Sequence, residues 1–321
     1  MYKEEKSYLG SYWKAFQRQF AESLSSDIPL LEKINGYLIE RSGKQLRPLL
    51  ALLVSSALRG GCNDRVVRCA TAAELLHTAT LLHDDVADNS PERRGNPTVM
   101  ALYSPTTAVL VGDFWLSRAI DLIVDHPDKR VLKVFSKCLE DLAEGEMLQL
   151  QKAGTLDTTE QDYRGIIYRK TASLFEAAVI SSAYSVEASS DELEAVKSYA
   201  YHLGMSFQMM DDILDYSPEL SIGKPTGQDL LEKKITLPLL GLFANAPAKV
   251  VKKILSGMKT PDAGFSAETL ALVKEYGGLE FAREKLLSET VAAEEALAPL
   301  PDSDAKGHLV SLAERLAVRT A

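Results

Sequence analysis

Residues 81–95, LLHDDVADNSPERRG, place three acids at the end of an apolar segment. In the preceding run, VVRCATAAELLHTATLL, small and apolar side chains recur at steps of three and four residues, the period of one helix face. The Asn-Ser-Pro sequence at 89–91 then predicts that this helix ends. Asp84, Asp85 and Asp88 are therefore expected in the last turn, where free carbonyls carry partial negative charge. Because three carboxylates repel one another and this dipole, we expect a cation to bind there.

A second acid cluster has the same DDxxD spacing. Residues 207–216 read FQMMDDILDY and supply Asp211, Asp212 and Asp215, again before a proline-containing loop. Steps of three and four residues put side chains on one helix face, where they can reach common ions. Carboxylate oxygens are preferred ligands of Mg²⁺, which keeps several waters and is often shared with substrate phosphates. One such cluster is as readily a solvated helix face, but two clusters after apolar helices favour Mg²⁺ ions that hold a diphosphate.

Composition and chain organisation predict one all-α domain over residues 1–321. At 321 residues and 46% hydrophobic composition, the chain is long enough to bury a large core. Segments of helical length are separated by short breaks, and no linker or repeat is evident. Helices of this kind place functional groups at their ends and in clefts.

Charge and cysteine content exclude several classes of function. The net charge of −9 and the lack of a long basic tract argue against a nucleic-acid partner. The three cysteines have no CxxC spacing, so neither a disulfide framework nor a zinc site is indicated, and a cytoplasmic location fits best. No apolar run is long enough to span a membrane, which leaves peripheral membrane association open.

A bound diphosphate also requires cationic side chains, which we expect in the breaks between helices. Arginine suits forked contacts with phosphate, whereas lysine supplies a point charge. A single basic residue is usually a surface residue, but several here adjoin the acid motifs. Polar residues on apolar helices need partners as well, and His77 and Gln208 are of this kind. The candidates are Lys44, Arg47, His77, Arg93, Arg94, Lys170, Thr171, Gln208, Lys224 and Lys234.

Eight segments in order resemble the trans-isoprenyl diphosphate synthase family. They are GKQLRP, HTATLLHDDVADNSPERRGNPT, GDFWLSRA, AEGEMLQLQ, YRKTASLFEAA, YHLGMSFQMMDDILDY, GKPTGQDLLEKKITLPLL and YGGLEFA. The HTATLLHDDVAD segment most resembles long-chain, octaprenyl-type members. The resemblance implies a helical bundle around a central apolar cavity, a homodimer, and acid motifs that face each other across the cavity mouth.

The resemblance also implies a role for each candidate residue. The catalytic set would be the six acids with Lys170 and Lys224, and the acids would bind Mg²⁺ and through it the allylic diphosphate. Contacts with the allylic substrate would come from Arg93, Lys170, Thr171, Gln208, Lys224 and Lys234. Isopentenyl diphosphate would be held by Lys44, Arg47, His77 and Arg94. Ser42 and Lys233 stand where the family commonly has glycine.

The implied reaction begins with ionisation of the allylic substrate. The isopentenyl double bond then attacks the allylic cation, and a proton is lost to the released pyrophosphate. Water must be excluded because it would quench the cation.

Small residues below the first acids predict a long product. Thr80 lies one turn before Asp84 with Ala79 beside it, so the route for the growing chain is open, and Phe135 is a candidate for its floor. We expect hexaprenyl to octaprenyl products or longer, for quinone side chains. The alternatives are a geranylgeranyl or farnesyl diphosphate synthase, a class I terpene cyclase that needs no isopentenyl diphosphate site, and a non-catalytic partner subunit.

Overall fold

The fold is all-α, as the sequence predicts. A computed structural model of the chain describes residues 2–219, 226–262 and 264–319. It is 77% helical, and its described strands are two pieces of two residues each. The chain divides into two compact units, residues 1–136, 177–196 and 300–309 in the first, and 137–176, 197–299 and 310–321 in the second. The single domain over 1–321 stays a prediction.

The first unit contains seven helices of its own among the described residues, and one hairpin. Four further helices contribute residues to both units: α8 (Lys129–Thr155), α10 (Ser173–Ser185), α11 (Ser190–Asp215) and α17 (Asp304–Ala317). The first unit's own elements are α1 (Lys3–Leu9), α2 (Ser11–Ser23), α3 (Pro29–Glu40), α4 (Leu46–Arg59), α5 (Asp64–Ala87), β1 (Glu92–Arg93), β2 (Asn96–Pro97), α6 (Val99–Leu102) and α7 (Pro105–Ile123).

The second unit is also helical and includes one turn of π-helix. Its own elements are α9 (Glu160–Ile167), the π-helical turn Tyr168–Ala172, α12 (Gln228–Leu231), α13 (Leu237–Asn245), α14 (Ala248–Lys259), α15 (Phe265–Glu275) and α16 (Gly278–Ala296). The predicted ligand Lys224 lies outside the described residues.

Helix α4 is the centre of the first unit's core. Every residue from Leu46 to Leu58 is buried, as expected of a helix that is apolar on all faces. A buried polar network adds specificity, because the indole N–H of Trp115 donates to Asn35 at 2.8 Å and the amide of Asn35 donates to the carbonyl of Leu24 at 2.7 Å. This core supports α5, which carries the first acid motif.

The second unit has its own core below the second acid motif. Met209, Met210 and Ile213 of α11 are buried with Leu239 and Leu242 of α13. The apolar face of α11 is thereby fixed, and its acids project from a rigid helix. Among helices within 2–219, 226–262 and 264–319, none has the length and apolar character to cross a membrane.

Candidate active site

The first acid motif ends α5 as the sequence predicts. The helix ends at Ala87, and Asp88 is its C-cap. Asp85 is buried and accepts a hydrogen bond from Nε of Arg93 at 2.7 Å, whereas Asp84 is half-buried and Asp88 is exposed. Burial raises the pKa of Asp85, although the bond from Arg93 acts in the opposite direction. One predicted cation therefore already contacts the acids.

A two-residue hairpin turn separates the neighbouring arginines. Strands β1 and β2 pair through Arg93 and Asn96, and the turn residues Arg94 and Gly95 have φ of 53° and 75°. Positive φ at both turn residues matches the twist of a tight hairpin. Arg93 contacts Asp85, whereas the guanidinium of Arg94 lies against Gly43, where an added Cβ would be 1.9 Å from Nη1. Arg94 thus reaches the segment that carries Lys44.

Arg47 and Arg94 form a cationic cluster around His77 in the first unit. Arg47 is buried in the first turn of α4, and His77 is half-buried on α5. The pKa of His77 lies well below its usual value, first because of burial and then because of the charges of Arg47 and Arg94. The imidazole is therefore neutral near pH 7. The predicted isopentenyl diphosphate residues are thus brought together, with Lys44 exposed in the adjoining connection.

Glu74 belongs to the same cluster and was not identified from the sequence. Its side chain is 4% exposed, three residues before His77 on α5. Burial raises the pKa of Glu74, and the charges of Arg47, Arg94 and Lys6 oppose that rise. A carboxylate of this kind partly balances the charge of these cations, of which Arg47 is buried. A glutamate within an Ala- and Leu-rich helix was its only sequence signal.

The second unit contains a cavity of about 180 Å³ that is lined by part of the predicted allylic site. Four predicted residues line it, Lys170, Gln208, Asp212 and Lys234. Lys234 is ion-paired with Glu232. The cavity therefore has carboxylate, ammonium and amide side chains on its walls.

A hydrogen-bond chain connects three of the predicted residues. The hydroxyl of Thr171 donates to Gln208 at 2.8 Å, and the amide of Gln208 donates to Asp212 at 2.9 Å. Tyr163, which the sequence did not single out, donates to the other oxygen of Asp212 at 2.6 Å. Burial raises the pKa of Asp212, and the neighbouring carboxylates of Asp211 and Asp215 act in the same direction. The sequence predicted that Gln208 needs polar partners, and these partners are Thr171 and Asp212.

Lys170 and Thr171 lie in the π-helical turn, an element that often marks functional sites. Helix α11 passes close to this turn, because a Cβ added at Gly204 would be 2.6 Å from the Cα of Ala172. The ammonium of Lys170 pairs with Glu146 at 2.5 Å. Glu146, which the sequence did not single out, is thereby placed beside a candidate site residue.

Asp215 connects the second acid motif to the following loop. Its two carboxylate oxygens accept the backbone N–H groups of Gln228 and Asp229, at 3.1 and 3.0 Å. A carboxylate at a helix N-terminus is stabilised by the helix dipole. Asp229 is a further, half-buried acid of this cavity. Desolvation together with the charges of Asp212 and Asp215 raises its pKa well above the usual value. Asp229 lies in the segment GQDLLEKK, and its spacing there does not distinguish it from an ordinary surface acid.

The two departures from glycine have different structural consequences. Lys233 has φ of 60°, in the left-handed region that favours glycine, whereas Ser42 is not among the residues with positive φ. A side chain with a Cβ costs ~1–2 kcal/mol in that region. The family's glycine at this position therefore meets a backbone requirement.

Lys233→Gly should raise the free energy of unfolding by about 0.5–1 kcal/mol, since relief of the strain exceeds the added entropy of the unfolded chain. Lys233→Ala is the matched control, because it removes the same charge and keeps the Cβ. Denaturant unfolding of the three proteins measures the difference. Equal stabilities of the Gly and Ala variants would contradict a backbone cause.

The chain-length candidates differ in their surroundings. Ala79 and Phe135 are almost fully buried. Thr80 is half-buried, and its hydroxyl donates to the carbonyl of His77 at 2.8 Å. The effect of these residues on product length stays a prediction, and Thr80 is the position where a larger side chain meets the least packed surroundings.

The acid motifs fit a divalent cation through their donor chemistry. Asp85, Asp212, Asp215 and Asp229 are all carboxylates whose pKa is raised by burial, so added positive charge would stabilise their ionised forms. Within the described part of the chain, no three acidic, histidine or cysteine side chains converge closely enough to hold a metal ion alone. A cation that takes further ligands from a diphosphate and from water suits such an arrangement.

Comparison with known proteins identifies the family. The profile described as Polyprenyl synthetase matches residues 28–271. An all-trans-nonaprenyl-diphosphate synthase (geranyl-diphosphate specific) from Rhodobacter capsulatus is 39% identical over 292 residues, which cover 91% of this chain and 90% of that protein. The crystal structure of a decaprenyl diphosphate synthase from the same organism has a TM-score of 0.95 at 35% identity, with 100% of both chains covered.

A polyprenyl synthase from Caulobacter crescentus CB15, solved complexed with calcium and isoprenyl diphosphate, has a TM-score of 0.92 at 31% identity, covering 100% of this chain and 98% of that one. The chain belongs to the polyprenyl synthetase family. The predicted enzyme class, a prenyltransferase, and the resemblance to long-chain synthases are thereby confirmed.

Proposed function

We propose that this enzyme uses Mg²⁺ to condense isopentenyl diphosphate with an allylic diphosphate, giving a long-chain all-trans polyprenyl diphosphate. The observation that carries the proposal is the cavity lined by Lys170, Gln208, Asp212 and Lys234, with acids and cations on the same walls. The names of the nonaprenyl and decaprenyl relatives support the long product.

Mg²⁺ would be held by Asp84, Asp85 and Asp88 in the first motif and by Asp211, Asp212 and Asp215 in the second. Bound there, it would neutralise the diphosphate and stabilise charge on the departing pyrophosphate. The solved relative from Caulobacter crescentus, which carries calcium, supports a divalent ion.

The chain's own residues hold the allylic diphosphate. Lys170 and Lys234 each supply a point charge to phosphate oxygens, and both now have a glutamate partner that a phosphate can replace. The Thr171–Gln208–Asp212 hydrogen-bond chain fixes the amide and the carboxylate before substrate arrives. Such preorganisation lets the site stabilise charge without reorganising during the ionisation step.

The cationic cluster in the first unit holds isopentenyl diphosphate. Arg47 and Arg94 bind its phosphate oxygens through their planar forks, and Lys44 adds a charge. His77, neutral because of burial and the nearby arginines, donates one N–H without adding charge. The double bond of this substrate then attacks the allylic cation, and the released pyrophosphate accepts the lost proton.

A homodimer in the cytoplasm is part of the proposal. Helix α7 carries a stripe of exposed apolar side chains, Val109, Leu110 and Ile120, of which Leu110 is 62% exposed. Exposed apolar patches of this kind mark contacts between proteins. The three cysteines are free, which fits a reducing compartment.

Thr80→Phe should shorten the product, since its ring fills space one turn before Asp84 and adds ~1–3 kcal/mol of overpacking to further extension. Ala79→Tyr should act in the same direction, with greater disturbance of the core because Ala79 is 1% exposed. Chromatography of the dephosphorylated alcohols measures the shift. Thr80→Val, which keeps the size and loses the hydroxyl, is the matched control and should leave the product length unchanged.

Unchanged product length in Thr80→Phe would contradict a route along this helix face.

A class I terpene cyclase has no use for a second diphosphate site, and the Arg47–Arg94–His77 cluster therefore favours the synthase. A catalytically silent subunit could lose metal ligands freely, and both triads are intact here.

Incubation with Mg²⁺, farnesyl diphosphate and labelled isopentenyl diphosphate tests the reaction itself. We expect label in an apolar alcohol after phosphatase treatment, with Arg94→Ala as a weakened control. No incorporation, under conditions in which a related synthase works, would overturn the proposed function.

A further inference from the structure

Arg319, two residues beyond the end of α17, contacts the second acid motif. Its Nη2 lies 2.7 Å from Oδ1 of Asp211 and donates to the backbone carbonyl of Phe207 at 3.0 Å. The guanidinium also covers the ring of Phe207, 4.0 Å from its centroid. All three residues belong to the second unit, and Arg319 lies outside residues 28–271 that the family profile matches.

The arrangement fixes one turn of α11 from the side. Phe207 and Asp211 are four residues apart, so the guanidinium holds a carbonyl and a carboxylate of the same helical turn. Arg319 is 7% exposed in its side chain and its Nε has no hydrogen-bond partner in the described residues, whereas the Asp211 side chain is 44% exposed. A buried cation is costly unless an anion pairs with it, so the partnership with Asp211 holds Arg319 in place.

We propose that Arg319 is a positioning residue that prepares Asp211 for a divalent cation. The contact between them uses Oδ1 of the Asp211 carboxylate, which leaves Oδ2 for a metal ion. The positive charge also reduces repulsion among Asp211, Asp212 and Asp215 before a metal ion arrives. Carboxylates that bind metals are commonly held by such outer partners, whose loss weakens metal binding by about 10–100-fold. This inference rests on the proposed function of the second motif.

A competing role would have the opposite sign. If Arg319 were a plug that a metal ion must displace, its removal would strengthen metal binding. If it served only to attach the C-terminal segment to α11, its removal would lower stability and leave metal affinity unchanged. Metal affinity, measured without turnover, therefore separates the three roles.

The experiment titrates Mn²⁺ in the presence of inorganic pyrophosphate and follows free Mn²⁺ by electron paramagnetic resonance. All variants carry Asp84→Ala, Asp85→Ala and Asp88→Ala, so that the remaining binding reports the second motif. We expect Arg319→Met, which keeps the packing against Phe207, to weaken Mn²⁺ binding by about 10–100-fold. Arg319→Lys should restore part of the affinity, because it keeps the charge without the planar fork. Arg283→Met removes a positive charge from an exposed position of the same unit and should have no effect.

The outcomes separate this inference from the proposed function. Circular dichroism first establishes that each variant is folded. Unchanged or tighter Mn²⁺ binding in Arg319→Met would overturn the positioning role, while loss of binding in Asp212→Ala would still support the metal site. If the parent protein binds no Mn²⁺ with pyrophosphate, the proposed metal site fails and the role of Arg319 fails with it.

Discussion

Asp212→Ala should lower kcat by about 10²–10³-fold at saturating Mg²⁺, the cost of removing one preorganised group that acts on developing charge. Asp212 is buried, and its two oxygens organise Gln208 and Tyr163 as well as the proposed metal ion. The variant therefore loses a proposed metal ligand, and Gln208 and Tyr163 lose the carboxylate that accepts their hydrogen bonds. Steady-state kinetics with labelled isopentenyl diphosphate measures the change.

Asp212→Asn is the matched control for shape. It keeps the size of the side chain and an oxygen that can accept from Tyr163, and it loses the negative charge. We expect nearly the same loss of kcat as in the Ala variant, with no loss of thermal stability in metal-free buffer, since the charge is buried beside Asp211 and Asp215. Wild-type turnover in either variant would contradict the assignment of Asp212 as a metal ligand.

Arg94→Ala should raise the KM for isopentenyl diphosphate by about 10–100-fold, which corresponds to ~1.5–3 kcal/mol for a hydrogen bond to a charged group. Arg93→Ala should instead raise the KM for the allylic substrate, because Arg93 contacts Asp85 while Arg94 lies against Gly43. Each variant thus serves as the control for the other. Initial rates with each substrate varied in turn measure both constants.

A second substitution separates the charge of Arg94 from its backbone. Arg94 has φ of 53°, so Arg94→Gly removes the guanidinium while it favours the turn conformation. We expect the Gly and Ala variants to have the same KM values. Equal effects of the Arg93 and Arg94 variants on both KM values would count against separate sites for the two substrates.

The acid motifs and Arg93, the basic partner of the first motif, could be predicted from the sequence because their spacing is local. The end of α5 at Ala87 follows from periodicity and from the Asn-Ser-Pro stop. The resemblance then supplied roles that local spacing alone could not. The resemblance also marked Lys233 as a departure from a common glycine. The left-handed backbone at Lys233 is the physical reason why glycine is favoured at that position.

The residues that the sequence did not reveal depend on contacts between distant segments. Tyr163 reaches Asp212 across 49 positions, and the π-helical turn around Lys170 lies against Gly204 of α11. In the sequence Glu74 resembles an ordinary helix residue, and only the fold buries it near the charges of Arg47 and Arg94. No spacing rule connects such pairs, because tertiary packing alone brings them together.

The most direct test of the account is the chain length made by the unmodified protein. Purified enzyme is incubated with Mg²⁺, farnesyl diphosphate and excess isopentenyl diphosphate, and the dephosphorylated products are separated by chromatography beside polyprenol standards. We predict a dominant alcohol longer than C20, in the hexaprenyl to octaprenyl range or beyond. A dominant C15 or C20 alcohol would contradict the long-chain claim, and the absence of any extended product would contradict the condensation itself.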